Sequence, residues 1–323
     1  MPVDVALNIF AKPYCTSLSL LSLLRCSGRH INQIYLQFEP VGSRYDPARP
    51  YLIAEFLASS LGERIKIFQP DHWLRQNPPD PARLEDPAYR LSIRYEFAFE
   101  HTQAEYLFIM HNDVFIQRDI IGMLLERAKG AFAVGQVGQC WNCPARLPDL
   151  MRAAGCGTQP CLAQSYEAFQ PDFAGLVRLY EAARQADVFV RPWWEGWEER
   201  YGEKAWPLPE CRVNEWACLV DMELIRRHAP PLGPVPPFGA FESCGAICLD
   251  TAVAWFRELN RLGLRARHAD LTGFLLHFVG TGKKTAYRYA RLEGNARGLL
   301  EKHFPAFAAW ARKSNCGLFA EHA

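Results

Sequence analysis

The stretch Glu105-Tyr-Leu-Phe-Ile-Met-His-Asn-Asp-Val114 decides the fold predicted for this chain. Its five apolar residues, Tyr106 to Met110, follow one another without a helical period, which is typical of a strand buried on both faces within a parallel sheet. The polar residues His111, Asn112 and Asp113 come directly after the run. Because open α/β sheets place ligand-binding groups at the carboxyl ends of their strands, this edge is the first candidate site.

Strand-like and helix-like segments alternate on both sides of this run, at the intervals of βαβ units. This alternation predicts a mostly parallel α/β sheet with helices on its faces. The predicted strands before the central run are Val3 to Phe10, Ile34 to Phe38 and Ile65 to Phe68; those after it are Ala131 to Val137, Leu264 to His268 and a segment through Leu275. The predicted helices are Leu18 to Leu24, Tyr51 to Leu61, Leu91 to His101, Ile120 to Arg127 with Asp119 as its cap, and Asp172 to Gln185. A further helix would be capped by Asp250 or Thr251 and end at Gly263, and the segment from Tyr287 to Arg312 is helical in period with Pro305 interrupting it.

Charge and hydropathy exclude several classes of function. The 323 residues contain 36 Lys and Arg against 35 Asp and Glu, so no overall field attracts a nucleic acid or an anionic membrane. No apolar run approaches the roughly 18 residues of a spanning helix, and the N-terminus lacks a secretion signal. We therefore expect a cytoplasmic protein without a transmembrane segment, with peripheral attachment to the inner membrane left open. The 11 cysteines are then expected as thiols or metal ligands rather than disulfides.

The residues after the central run predict a cation site. A carboxylate and an imidazole two residues apart, Asp113 and His111, can face one divalent cation, which in turn can hold a diphosphate. The alternative is that Asp113 only caps the next turn.

The order of these segments resembles the nucleotide-sugar half of a GT-A-fold glycosyltransferase, near the family 2 enzymes. The family places an Asp-x-Asp motif after its central strand; here His111 replaces the first Asp and Asp113 matches the second. The segment from Phe238 to Gly263 is similar to the family's acceptor region, where an acidic loop carrying the catalytic base precedes a helix that ends in Gly. The family usually has a Glu-Asp pair there, whereas this chain has the isolated acids Glu242 and Asp250.

The resemblance implies a set of site residues. Mn²⁺ or Mg²⁺ would be held by His111, Asp113 and His277, with Mn²⁺ preferred because of the imidazoles. Glu242 is the first candidate for the base that deprotonates the acceptor hydroxyl and Asp250 the second, and a purely structural role is the alternative for each. The nucleotide diphosphate sugar would be bound by Ala11, Lys12, Glu39, Arg94, Asn112, Asp113 and Lys283.

A region rich in cysteine and tryptophan lies between the two halves. Cys140, Cys143, Cys156 and Cys161 form two closely spaced pairs, which suits a structural Zn²⁺ site, with Cys211 as a substitute for either of the last two. The alternative is that these are buried thiols. Five aromatic residues from Trp193 to Trp206 could stack on carbohydrate rings or form a small core.

The resemblance implies a GT-A-like domain over residues 1–290, followed by a C-terminal helical segment over 291–323. The domain would comprise a nucleotide-sugar half (1–136), a Cys/Trp-rich insertion (137–212) and an acceptor half (213–290). We expect an inverting glycosyltransferase whose acceptor is a carbohydrate, a lipid-linked glycan or a small molecule, with a homodimer left open. The alternatives are a zinc-stabilised binding module with a degenerate active site, and a nucleotidyltransferase.

Overall fold

A computed structural model describes residues 2–40, 52–137, 144–156, 172–187, 211–244, 247–278 and 286–314. A seven-stranded sheet lies at its centre, with the strand order β10-β6-β7-β4-β1-β2-β3. Its members are β1 (Val3–Ile9), β2 (Ile31–Phe38), β3 (Ile65–Phe68), β4 (Tyr106–His111), β6 (Ala133–Val137), β7 (Val213–Asp221) and β10 (Ala266–His268). The predicted α/β fold with a mostly parallel sheet is thereby confirmed.

The central run of the sequence is the central strand of the sheet. Strand β4 pairs in parallel with β1, and β1 pairs in parallel with β2. Leu107, Phe108, Ile109 and Met110 are fully buried, as expected for a strand covered on both faces. In this register Asn8 of β1 lies opposite His111 of β4, which places the ends of both strands at one edge of the sheet.

Strand β7 interrupts the parallel order because it runs antiparallel to both of its neighbours, β4 and β6. This strand was not predicted from the sequence. Its antiparallel direction brings its first residues, around Glu215, to the edge where β1 and β4 end. Strand β6 approaches β7 closely: a Cβ on Gly135 would lie 2.6 Å from a methyl group of Val213, so only glycine fits there.

Two smaller antiparallel sheets complete the strands. One pairs β5 (Val114–Ile116) with β11 (Leu275–His277), with His277 opposite Val114. Because Val114 directly follows Asp113, this pairing places His277 beside the turn that contains Asp113. The other pairs β8 (Glu242–Cys244) with β9 (Ile247–Leu249).

Helices cover both faces of the sheet. They are α1 (Pro13–Ser27), α2 (Leu52–Leu61), α3 (Pro87–Leu91), α4 (Glu96–His101), α5 (Ile120–Leu125), α6 (Pro148–Ala153), α7 (Phe173–Gln185), α8 (Met222–His228), α9 (Val253–Arg261), α10 (Ala286–His303) and α11 (Pro305–Lys313). One apolar core lies between β1, β2, β4 and helices α1, α5, α10 and α11, and a second lies on the opposite face around Phe238, Trp255 and Phe256. Among the described helices, none combines the length and the hydropathy needed to cross a membrane.

Two local predictions were wrong. The helix expected over Leu91 to His101 is shorter than predicted: α3 already ends at Leu91, and α4 begins only at Glu96, after the chain turns at Tyr95, which has a left-handed φ of 66°. Helix α9 is not capped by Asp250 or Thr251: its N-cap is Ala252, with φ of 67° and no side-chain cap. Asp250 is therefore available for other contacts. Gly263 ends this helix with φ of 85°, as predicted.

Candidate functional site

The turn between β4 and β5 is held by Asn112. Its side-chain amide donates hydrogen bonds to the carbonyl of Ala11 (3.0 Å) and to Oγ1 of Thr16 (2.9 Å), and the residue is 5% exposed. Both amide hydrogens are thus used to join the end of β4 to the start of α1. The structure places the predicted nucleotide ligand Asn112 in this supporting position.

Lys12 and Asp113 form a buried ion pair at this edge. Ala11 and Lys12 both have left-handed backbone conformations, with φ of 50° and 60°, so the chain turns sharply between β1 and α1. The turn directs Nζ of Lys12 to Oδ2 of Asp113 at 2.6 Å, and the two side chains are 14% and 7% exposed. The backbone amide of Lys12 also donates to the hydroxyl of Tyr289 on α10 (3.1 Å).

His111 and His277 approach the other oxygen of the same carboxylate. Nε2 of His277 lies 3.3 Å from Oδ1 of Asp113, and Nδ1 of His111 lies 3.7 Å from it. Ligand atoms of the three residues all lie within 4.8 Å of one another. Among the described residues, Oδ1 of Asp113 and Nδ1 of His277 are buried without a hydrogen-bond partner. The three predicted metal ligands are therefore brought together.

The electrostatics keep Asp113 ionised and both imidazoles neutral. Burial alone would raise the pKa of Asp113, but the charge of Lys12 and the contact with His277 hold it well below its usual range. Burial lowers the pKa of His111 to about 4, and burial also lowers the pKa of His277. At neutral pH the group thus offers one carboxylate and two imidazole lone pairs, which is the state that a divalent cation requires.

The start of β7 and the residue before it add three site residues that were not predicted from the sequence: Arg212, Glu215 and Trp216. Oε1 of Glu215 lies 3.3 Å from Nε2 of His111, and Oε2 of Glu215 contacts the buried guanidinium of Arg212. Trp216 stacks on His277, with 5.1 Å between ring centroids. The sequence feature that could have identified this strand is the apolar run from Trp216 to Val220, which is strand-like in the same way as the run from Tyr106 to Met110.

Asp250 joins this network from the segment before α9. Its Oδ2 accepts a hydrogen bond from Nη2 of Arg212 at 2.9 Å, and its Oδ1 accepts from the amide of Thr251. Arg212 thus lies between two carboxylates, those of Glu215 and Asp250. Glu242 lies elsewhere: both of its carboxylate oxygens accept from the guanidinium of Arg257, at 2.9 and 3.3 Å.

A polar cluster surrounds Glu39 at the end of β2. Its Oε1 accepts from Nε of Arg94 (2.6 Å) and from the side-chain amide of Asn8, and its Oε2 accepts from Nε1 of Trp73 (3.0 Å). Trp73 in turn stacks on Phe10. Glu39, Arg94 and Trp73 line a pocket that Gly239 and Phe241 also line. The structure therefore makes Glu39 and Arg94, which were predicted as nucleotide ligands, partners of each other.

Of the other residues predicted for the sites, some lie within the described part of the chain and some outside it. Ala11 lies in the turn before α1 and is buried. Cys156 is described, and its thiol contacts the carbonyl of Gly175 at 3.3 Å. Cys211 is buried. Cys140, Cys143, Cys161 and Lys283 lie outside the described residues, so the zinc site and the contact of Lys283 with a diphosphate remain predictions.

Comparison with known proteins found no matching family model and no matching curated protein. Among solved structures, the chain is similar to the mannosyltransferase PcManGT from Pyrobaculum calidifontis, crystallised with GDP-Man and Mn²⁺. The identity is 12% over 98% of this chain and 80% of that one, with a TM-score of 0.43. It is also similar to glucosyl-3-phosphoglycerate synthase from Mycobacterium tuberculosis, in complex with Mn²⁺, UDP and phosphoglyceric acid, at 9% identity over 99% and 80% of the two chains and a TM-score of 0.43.

A third solved structure, TarS 1–349 from S. aureus, matches over a shorter region. The identity is 11% over 42% of this chain, which spans 35% of the TarS chain, and the TM-score is 0.28.

Proposed function

We propose that this protein is a glycosyltransferase that moves a sugar from a nucleotide diphosphate sugar to an acceptor hydroxyl, assisted by a divalent cation. The observation that carries the proposal is the buried group of His111, Asp113 and His277 beside Lys12, at the edge where β1 and β4 end. This edge is the place where α/β sheets bind their ligands. The resemblance of the sequence to family 2 glycosyltransferases supplies the reaction class.

The donor atoms fit a divalent cation. Two atoms bound to one cation at about 2.1 Å lie at most about 4.2 Å apart, and the two imidazole nitrogens lie 3.3 and 3.7 Å from Oδ1 of Asp113. Oδ1 is also buried without a hydrogen-bond partner among the described residues. The contacts link two positively charged side chains, Lys12 and Arg212, to three carboxylates, those of Asp113, Glu215 and Asp250. The net charge of these five groups is negative, which favours the binding of a cation. Two imidazoles favour Mn²⁺ over Mg²⁺.

His111, Asp113 and His277 would hold the cation, which would neutralise the charge that develops on the leaving diphosphate. Lys12 has two functions in this arrangement. Its ammonium group fixes Oδ2 of Asp113, so that Oδ1 is directed toward the histidines, and its positive charge lies beside the expected position of the diphosphate. Burial alone would lower the pKa of Lys12, but the Asp113 carboxylate raises it above its ordinary value, so Lys12 stays charged.

The pocket beside Glu39 is suited to the nucleoside. Asn8 connects the two parts of the site, because it lies opposite His111 in the sheet and its amide donates to Glu39. Two strand spacings, about 10 Å, separate β4 from β2, a distance that a nucleoside diphosphate spans. Glu39 already accepts from three donors, whereas the Nη groups of Arg94 donate to no described residue. We therefore expect Arg94 and Trp73, rather than Glu39, to contact the nucleoside.

Asp250 is the better supported of the two candidate bases. It is joined to the cation-binding group through Arg212 and Glu215, whereas Glu242 is engaged with Arg257. In the transfer, the acceptor oxygen gives its proton to the Asp250 carboxylate and forms a bond to the anomeric carbon of the sugar. The bond from that carbon to the diphosphate breaks, and its electron pair leaves with the diphosphate. One displacement of this kind inverts the configuration at the anomeric carbon.

Calorimetric titration with UDP and then GDP, each with and without Mn²⁺, tests the donor site. We expect one of the two nucleotides to bind only when Mn²⁺ is present, and Asp113→Asn to abolish that binding while the protein stays folded. The matched control is Asp149→Asn, which changes a carboxylate that is 92% exposed. Absence of binding by both nucleotides under every condition would refute the donor site. Incubation of the protein with radiolabelled nucleotide sugars and a set of hydroxyl acceptors then identifies the substrates.

A further inference from the structure

Strand β7 places the carboxylate of Glu215 beside Nε2 of His111, the ring nitrogen that does not approach Asp113. We propose that Glu215 is a positioning residue, which holds the Nε2–H group of His111 so that the Nδ1 lone pair is directed toward Asp113 and the cation. The proposal rests on the proposed function, in which His111 is a ligand. It assigns a role to Glu215 that the sequence resemblance does not give.

The two ring nitrogens of His111 face opposite partners. Nδ1 lies 3.7 Å from Oδ1 of Asp113, and Nε2 lies 3.3 Å from Oε1 of Glu215. A neutral imidazole carries one proton, so it can donate from one nitrogen and offer a lone pair from the other. Of the two carboxylates, Asp113 already has Lys12 and His277 as neighbours. A proton on Nε2 gives Glu215 a donor and leaves Nδ1 for a cation.

Arg212 fixes Glu215 in this position. Its guanidinium contacts Oε2 of Glu215 through Nη1 and Oδ2 of Asp250 through Nη2, and the Arg212 side chain is 2% exposed. A fork-shaped guanidinium between two carboxylates restricts the rotation of both. Glu215 is itself only 7% exposed. Arg212 thus fixes the buried carboxylate of Glu215 that contacts His111.

This arrangement has a chemical consequence for cation affinity. A carboxylate behind a ligating histidine fixes its tautomer and its ring orientation, and the loss of such a partner typically weakens metal binding by about 10–100-fold. The same chain of contacts ends at Asp250, the candidate base. Glu215 therefore joins the cation-binding group to the residue proposed to deprotonate the acceptor.

The tautomer of His111 can be read directly by long-range ¹H–¹⁵N NMR on protein labelled at histidine, without added metal. The signal of His111 is assigned by its absence in His111→Asn. We expect the wild-type ring to carry its proton on Nε2 and the Glu215→Ala variant to show a mixture of tautomers. A wild-type proton on Nδ1 would overturn the proposal, and this measurement requires no substitution at Glu215.

Mn²⁺ affinity, measured from the electron paramagnetic resonance of free Mn²⁺, is the second measurement. We expect Glu215→Ala to bind Mn²⁺ about 10–100-fold more weakly, and Glu215→Gln to lose less because its amide oxygen can still accept from Nε2–H. The control is Glu223→Ala, which removes an exposed carboxylate on α8. Unchanged Mn²⁺ affinity and an unchanged tautomer in Glu215→Ala would contradict the proposal. If the wild-type protein binds no Mn²⁺, the proposed function fails, whereas the tautomer still decides the role of Glu215.

Discussion

The carboxylate of Glu293 accepts a hydrogen bond of 2.9 Å from the backbone amide of Tyr14, a residue 279 positions earlier in the chain. Its other oxygen accepts from the amide of Cys15 at 3.1 Å. Helix α1 has no side-chain cap of its own and no acidic residue in its first turn, so its free amides are satisfied by α10. Tyr289, one turn earlier on α10, contacts Lys12. Helix α10 therefore supports the turn that carries Lys12.

We predict that Glu293→Ala destabilises the protein and also weakens Mn²⁺-dependent nucleotide binding. The loss of a helix cap costs about 1–2 kcal/mol of unfolding free energy, and the freed turn would hold Lys12 less firmly against Asp113. Urea unfolding and calorimetry measure the two effects. The control is Glu301→Ala on the same helix, where the carboxylate pairs with surface arginines. Unchanged nucleotide affinity in Glu293→Ala would show that the turn does not depend on α10.

A second prediction concerns Glu96, a buried carboxyl group on α4. Burial and the neighbouring Glu100 raise its pKa from 4.5 to about 8, although Arg90 opposes the shift. Below pH 4.5 the group is protonated in both the folded and the unfolded state. Between pH 4.5 and 8 only the folded state retains the proton. The free energy of unfolding therefore falls as the pH rises through this range, and the whole destabilisation by Glu96 is present above pH 8.

Glu96→Gln should therefore stabilise the protein at alkaline pH and leave it nearly unchanged at pH 4. At pH 9 we expect a gain on the order of 5 kcal/mol in the free energy of unfolding. Chemical unfolding at a series of pH values measures the difference between the variant and the wild type. Glu85→Gln, an exposed carboxylate in the same region, is the control. A difference that does not depend on pH would refute the shifted pKa.

Gly239 lies against the backbone of Arg94, in the wall of the pocket beside Glu39. A Cβ at this position would lie 2.0 Å from the carbonyl oxygen of Arg94 and 2.8 Å from its carbonyl carbon, so the backbone itself must move. We predict that Gly239→Ala costs about 1–3 kcal/mol of stability and weakens nucleotide binding, because Arg94 is displaced from Glu39. Thermal melting and calorimetry test both effects. Gly298→Ala, where nothing lies within 4 Å, should be neutral or slightly stabilising.

The local sequence pattern predicted the residues that follow the central strand, whereas His277, on the antiparallel strand β11, was predicted only from the family resemblance. The apolar run before His111 identified the central strand, and the Asp113 turn followed from it, because buried strands and the polar residues after them leave a local signal. Glu215 and Arg212 were missed because β7 is antiparallel: its site residues come before the apolar run instead of after it. Glu293 was missed for another reason. A helix cap supplied from the far end of the chain leaves no local pattern.

The last prediction separates the two candidate bases. Asp250 accepts hydrogen bonds from Arg212 and Thr251, so Asp250→Asn preserves the shape of the side chain while removing its charge and its ability to take a proton. We predict that this variant still binds the nucleotide with Mn²⁺, because the three cation ligands are intact, although more weakly than the wild type, since the network loses one negative charge. Its rate of transfer should fall by about 10²–10⁴-fold, the usual contribution of a general base.

Glu242→Gln is the matched comparison, since it changes a carboxylate of the same region that pairs with Arg257 on α9. We expect it to retain most of the transfer activity. The opposite pattern, with Glu242→Gln inactive and Asp250→Asn active, would restore Glu242 as the base and would mean that its pair with Arg257 opens when the acceptor binds. Equal loss in both variants together with loss of nucleotide binding would instead indicate that the segment from β8 to α9 supports the donor site as a whole.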